Sequence, residues 1–180
     1  MKAQNLLILF VASLFLFTSC AKLTYFTEDL YEQQGWSESE LKKIQFYLSQ
    51  DIVLKRELTG GKSEIISGKI KVENGNKIEE VIIPKRTPGT FVFSPKKDRF
   101  AIAFEEGDKR YLMFGPSPKY SDRFVMLASE WNRRSGKVTY DGKQWRVSSD
   151  DAYAALLVDL KKFNRFDKSS RTAKGRRIGD

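Results

Sequence analysis

Val138-Thr139-Tyr140-Asp141-Gly142-Lys143-Gln144-Trp145-Arg146-Val147 decides the fold. Two runs rich in β-branched and aromatic residues flank Asp-Gly, a dipeptide that accepts the positive φ angles of a two-residue hairpin turn. The stretch predicts two antiparallel strands, and the same grammar extends upstream. Phe91-Val92-Phe93 leads through Ser94-Pro95-Lys96-Lys97-Asp98 into Phe100-Ala101-Ile102-Ala103-Phe104, where Phe100, Ile102 and Phe104 share one face at period two. Glu106-Gly107-Asp108 turns the chain into Tyr111-Leu112-Met113-Phe114. Gly115-Pro116-Ser117-Pro118 is a break, and Phe124-Val125-Met126-Leu127 is a further strand.

Nearer the N-terminus, Ile52-Val53-Leu54 opens the first strand, and Thr59-Gly60-Gly61-Lys62 is a turn. A second strand runs from Ile65-Ile66 to Val72, kinked at Gly68. Asn74-Gly75 makes a hairpin turn into the strand over residues 78–83, and Pro84, Pro88 and Gly89 form a longer connection. Residues 153–160 fit two periods. Tyr153, Leu156, Leu157 and Leu160 suit a helix, whereas Ala154, Leu156, Val158 and Leu160 suit one face of a strand. A strand that closes the meander is preferred, because it covers an edge. The expectation is a mainly β protein, β-rich α+β, whose antiparallel meander curls into a small barrel or sandwich.

One N-terminal helix is expected over residues 38–49. Ser37 and Glu40 have capping-box spacing, Trp36 stands at the staple position, and Leu41, Ile44 and Leu48 form a helical stripe. Residues 21–35 lack clear periodicity apart from Tyr25, Phe26, Leu30 and Tyr31, and read as a tether with a few anchoring contacts. The domain plan is a signal over 1–19, a tether over 20–35, one β-rich domain over 36–160 and a basic tail over 161–180.

The N-terminus carries Lys2, an apolar run over residues 6–17 interrupted by Ser13, then Thr18, Ser19 and the chain's single cysteine, Cys20. This is the layout of an export signal, and 12 residues are too few for a spanning helix, which needs about 20. The run Leu16-Phe17-Thr18-Ser19-Cys20 resembles the lipobox of bacterial lipoproteins. The commonest lipobox has Leu three residues before the Cys and Gly or Ala directly before it. Phe17 and Ser19 stand there instead, as in the looser lipoboxes of Bacteroidota-type bacteria. The resemblance covers the first 20 residues and implies cleavage before Cys20 and a diacylglycerol on its thiol. Ala21 differs from the Asp of inner-membrane retention, and residues 22–26 lack the acidic cluster of surface export. The resemblance therefore implies the periplasmic face of the outer membrane.

The formal net charge is +9, with no histidine. Without histidine, and with Cys20 given to lipid, Ser–His–Asp and Cys–His catalysis and His-ligated metals are excluded. Charge concentrates in the tail, where Lys161, Lys162, Arg165, Lys168, Arg171, Lys174, Arg176 and Arg177 face only Asp167 and Asp180. These bases are a candidate contact for anionic lipid, an anionic envelope polymer or an acidic partner protein. Glu105-Glu106-Gly107-Asp108 reads as a charged hairpin tip before it reads as a cation site. Asp150-Asp151 reads as a solvated turn or helix start before it reads as an acid–base pair. Asn74-Gly75-Asn76 is a turn; no P-loop or dinucleotide fingerprint occurs.

Lys96-Lys97, Lys109-Arg110 and Arg133-Arg134 lie near Tyr111, Tyr120, Trp131, Tyr140 and Trp145. Such interleaving suits anionic glycans or nucleic acid, but aromatics in a small β-fold are mostly core, and nucleic acid is not an expected partner. The functional expectation is a non-catalytic, lipid-anchored envelope protein that serves as an interaction or assembly module. The alternative is a periplasmic barrel that holds an apolar molecule among Phe91, Phe93, Phe100, Ile102 and Phe104. An envelope-polymer hydrolase comes last. No cofactor or metal is expected.

Overall fold

The computed structural model describes residues 23–58, 69–73 and 76–160. Two antiparallel sheets form a sandwich-like, mostly β body. The first has seven strands: β1 (Leu23–Tyr25), β2 (Gln45–Leu48), β6 (Pro88–Lys96), β7 (Arg99–Ala103), β8 (Tyr111–Ser117), β9 (Arg123–Met126) and β13 (Leu156–Asp159). Their order is β1-β13-β2-β6-β7-β8-β9. The second has β3 (Ile52–Glu57), β4 (Lys69–Glu73), β5 (Asn76–Ile83), β10 (Glu130–Trp131), β11 (Ser135–Tyr140) and β12 (Lys143–Ser148), in the order β10-β11-β12-β3-β5-β4.

The Asp141-Gly142 hairpin forms as expected. Tyr140 lies opposite Lys143, and Asp141 and Gly142 take φ of 52° and 68°, the left-handed values a type I′ turn needs. Strand alternation then sends Val138, Tyr140, Trp145 and Val147 into the core. From the first sheet, Phe46, Phe91, Phe100, Phe114 and Phe124 point inward to meet them. The rings fill one another's space: Phe100 lies 5.4 Å from Phe91 and 4.8 Å from Phe124 between ring centroids. On β3 and β5 the inner face ends in an ion pair. Arg56 binds the fully buried Glu79, and its guanidinium lies 5.3 Å from the Trp145 ring centre.

The expected tether is part of this body. β1 pairs with β13, and Phe26 is completely buried, with its ring 4.8 Å from Phe124 and 5.3 Å from Phe46. A helix follows at Glu28–Gln34, capped by Thr27, whose hydroxyl accepts from the Leu30 N–H at 3.2 Å. Gly35 ends it in the left-handed conformation.

The helix expected over 38–49 stops at Leu41. Its start is correct: the Ser37 N–H and hydroxyl donate to the Glu40 carboxylate at 2.9 and 2.7 Å, which holds that carboxyl below its usual pKa. From Ile44 onward the period is two, with Ile44, Phe46 and Leu48 buried and β2 paired with β13 and β6. Ile44 and Leu48 satisfy both a helical stripe and an alternating strand, and Phe46 breaks the tie.

Two further expectations change, and one holds. Pro88 and Gly89 begin β6 instead of ending a loop, and Gly115-Pro116-Ser117 continue β8, so the break starts at Pro118. Residues 156–159 form the preferred strand, which lies inside the sheet between β1 and β2. A 3₁₀ turn at Ser149–Tyr153 precedes it. β9 reaches the other side of this region through the Met126 N–H to Ala154 carbonyl bond at 2.9 Å and a bridge between Val125 and Ala155. The first sheet thus curls until its edge is covered, without becoming a closed barrel. The turns expected at 59–62 and 74–75, the strand start at Ile65-Ile66 and the Gly68 kink lie outside the described residues; β4 and β5 nonetheless pair as a hairpin, with Glu73 opposite Asn76.

Candidate recognition surface

The second sheet turns Val53, Lys55 and Glu57 of β3 and Arg146 and Ser148 of β12 outward, because their neighbours in sequence fill the core. β12 and β3 pair at a single position, Arg146 opposite Lys55, and then diverge. A groove of about 510 Å³ opens there, lined by Val53, Lys55, Glu57, Ile78, Arg146 and Asp151 among others. Asp151 closes one end. Its carboxylate accepts the Ser148 N–H at 3.1 Å and also the Val53 N–H, taking the place of ladder bonds where the strands separate. Burial pushes the Asp151 carboxyl above the usual range, and the two backbone donors pull it back.

Ion pairs cross the floor: Lys55 lies 3.7 Å from Glu80, and Arg146 lies 3.8 Å from Glu57. A second depression of about 340 Å³ shares Ser135 and Arg146 with the first and adds Glu130, Trp131, Asn132 and Lys137. Lys137 pairs with Glu130 at 2.7 Å. The Asn132 side-chain oxygen accepts from the Arg134 and Ser135 N–H groups at 2.9 and 2.7 Å, which fixes the β10–β11 turn. Trp131 faces Gly136 across the pair and is 41% exposed. A Cβ at position 136 would sit 2.6 Å from two indole carbons, so glycine there is what lets the ring lie close to the strand. The result is one continuous surface of alternating charge with an aromatic plate at its end. It can exchange its own partly solvated ion pairs for those of a partner and stack one flat or apolar group.

The first sheet carries a different feature. Phe91 faces Ile102, but Phe93 faces Ala101, so β6 advances two residues while β7 advances one. This bulge at Val92 sends Phe93 to the outer face. Ala101 of β7 lies between Phe93 and Met113 of β8, and its neighbour on the same face, Ala103, stands opposite Tyr111. The Phe93 and Tyr111 rings meet edge to face at 5.1 Å. With Leu127 and Val138 they border an apolar trough of about 730 Å³, whose rim includes Lys96 and Arg99. The five residues expected to line one cavity are therefore divided. Phe91, Phe100 and Ile102 are core, Phe104 is half-buried against it, and Phe93 faces outward.

The remaining candidates have local roles. Glu105 accepts the Tyr140 hydroxyl at 2.5 Å, and Arg110 reaches Asp141 at 3.3 Å and Glu105 at 3.7 Å, so the charged tip is tied to the hairpin. Of the expected solvated pair, Asp151 is buried and structural, while Asp150 is exposed. Lys97 pairs with Glu32, and Arg133 and Arg134 are exposed. Tyr140 and Trp145 are core, and Tyr120 meets Tyr153 edge to face at 5.0 Å. Among the described residues, no three His, Cys, Asp or Glu side chains gather as a metal site. Cys20 and the bases Lys161, Lys162, Arg165, Lys168, Arg171, Lys174, Arg176 and Arg177 lie outside the described residues.

The groove has no local signature in the sequence. Trp131 and Gly136 sit five residues apart without a pattern that marks them as stacked, and the β12–β3 divergence depends on residues far apart in sequence. No family model matches this chain, and neither a curated protein nor a solved structure matches it.

Proposed function

We propose that this protein is a non-catalytic, lipid-anchored envelope protein that acts as an interaction or assembly module, held through Cys20 at the periplasmic face of the outer membrane. The observation that carries the reading is the long charged groove on the second sheet, set on a body whose interior is filled by its own rings. A filled core leaves the surface as the place of recognition, and the groove is the surface feature of a size and polarity that suits a protein segment. The lipobox-like run ending at Cys20 supports attachment: each buried methylene adds about 0.8 kcal/mol, so two or three acyl chains hold a protein indefinitely.

Two measurements test this. Cys20→Ala should move the protein from the membrane to the soluble envelope fraction; retention after a high-salt wash sinks the anchor. A photo-crosslinking residue at Arg146 or Trp131 in cells should capture one discrete protein species, and one at Lys143 should not. Equal labelling at all three positions, or none, sinks the groove as the docking face.

The apolar trough supports a second reading, a binding site for an apolar molecule with an anionic head beside Lys96 and Arg99. Under that reading, Phe93→Lys abolishes binding of a fluorescent fatty acid by the purified protein; undiminished or absent binding in both forms refutes it.

A further inference from the structure

We propose that the outer face of the first sheet, where β2, β13, β1 and β9 meet, binds a glycan chain that carries carboxylates, with tyrosine rings against the sugars and Arg123 on an acid group. The tyrosines and cations of this face line neither depression of the second sheet, so the site stands whether or not the groove docks a protein.

Strand alternation builds the face. Phe26, Phe46, Leu156 and Val158 fill the core, so Tyr25, Tyr47 and Leu157 turn outward. The register sets these three in one row: Tyr25 stands opposite Leu157, and Leu157 opposite Tyr47. Two strand spacings, about 10 Å, separate the two tyrosines, close to the disaccharide repeat of an extended glycan. β9 meets the chain just past β1, where the Phe124 N–H donates to the Phe26 carbonyl at 3.0 Å and Arg123 bridges Thr27. Partners across a bridge share a face, so Arg123 stands beside Tyr25, and its guanidinium lies 3.8 Å from the centre of that ring. Tyr120 comes three residues earlier in the chain. Between them Ser121 and Asp122 take φ of 55° and 52°, left-handed values that few residues other than glycine adopt. Backbone bonds hold this turn: the Asp122 N–H donates to the Ser117 carbonyl at 3.0 Å, and the Asp122 carbonyl accepts the Glu28 N–H at 2.9 Å. The Tyr120 ring meets Tyr153 at 5.0 Å, and the Lys119 ammonium lies 5.5 Å from the Tyr120 ring centre.

The chemistry of these groups names the ligand. Tyr25 and Tyr153 are 39% and 47% exposed, so their rings keep open surface. Tyrosine joins an apolar ring to a polar tip, which suits a sugar, whose C–H face stacks while its hydroxyls need hydrogen bonds. Among the described residues, no carboxylate comes within ion-pair distance of Arg123 or Lys119. Stacking already orients the Arg123 guanidinium and leaves its planar fork unspent, so it can grip a carboxylate at little further entropic cost. The face lies on the outside of a curled sheet. A small molecule needs a concave site that encloses it, whereas a polymer can lie across a row of rings. An acidic protein could meet the two cations but would leave the rings unused; a carboxylated glycan uses both.

The test is calorimetric titration of the full chain, in detergent and physiological salt. The probes are a hyaluronan octasaccharide and glycan strands freed from peptidoglycan by an amidase; chitohexaose is the neutral control and polyglutamate the sugar-free one. At least one anionic glycan should bind about tenfold or more tighter than either control. Arg123→Gln and Tyr25→Ala should each weaken that binding about tenfold, with the melting temperature of each variant as the check on folding. Tyr153→Ala alters a largely exposed side chain and does not threaten the fold; it should weaken binding about threefold or more. Failure of both anionic glycans to bind overturns the proposal. So does either control binding as tightly as the glycans, since charge or sugar alone would then suffice. Binding that Arg123→Gln and Tyr153→Ala leave unchanged also overturns it, because the contact would then lie elsewhere on the chain.

Discussion

Tyr140 ends a strand with its ring in the core and its hydroxyl on Glu105 at 2.5 Å. Burial, then the bond to Glu105, raise the phenol's pKa above its ordinary value. An unfolded Tyr ionises near pH ~10. Above that pH the unfolded chain releases this proton while the folded protein keeps it, so stability falls as pH rises. Tyr140→Phe should cost about 1 kcal/mol at pH 7. The gap to the wild type should narrow above pH ~10, because the variant has no phenol to titrate there. Urea denaturation at pH 7 and pH 10.5 checks this, and a gap that widens with pH contradicts it. Glu79 is the other sensitive residue. Glu79→Ala strands the Arg56 guanidinium against Trp145, with an expected cost of about 3–5 kcal/mol. The double variant Arg56→Met/Glu79→Leu should recover most of that loss. Both the ion pair and the phenol's partner escape a sequence reading, because Arg56 and Glu79 are 23 residues apart and Tyr140 and Glu105 are 35 apart.

At the scale of elements, local chemistry was most legible where two residues close a turn. Asp141-Gly142 specifies its hairpin because left-handed φ values are affordable there and few other residues tolerate them. Gly142→Ala should therefore destabilise by about 1–2 kcal/mol, measured as a shift in the denaturation midpoint without a change in slope. β2 shows the opposite case. The capping box ahead of it is legible in the sequence, but the helix that the box starts runs for four residues instead of the twelve expected, since the ladders of β2 with β13 and β6 outweigh a weak helix preference. The bulge at Val92 is a second failure of local reading. Phe91 and Phe93 stand at the spacing of one strand face, yet one extra residue places them on opposite faces. Period-two reasoning assumes an unbroken ladder, and only the partner strand shows where it is broken.

For the whole molecule, the boundary of the folded body is the main correction. Residues 23–35 belong to it, through β1 and the wholly buried Phe26. The opposite end gives a clear expectation. Truncation after Phe163 should leave the melting temperature within about 2 °C of the full chain, since β13 ends at Asp159. A larger drop would mean that the removed residues pack on the body. Sequence alone determined that the chain is β-rich, where its tightest hairpin lies, which strands follow one another from Phe91 to Val147 apart from the short β10, and that charge gathers after residue 160. Those properties follow from neighbours in the chain: φ preferences, alternation and local composition. Only the tertiary structure decided that Phe26 is core, that β13 inserts between β1 and β2, that β12 and β3 diverge to open the groove, and that the chain enters and leaves at one end. Each of these depends on pairing between distant segments, whose register is set by the fit of the whole core and not by any residue's immediate neighbours.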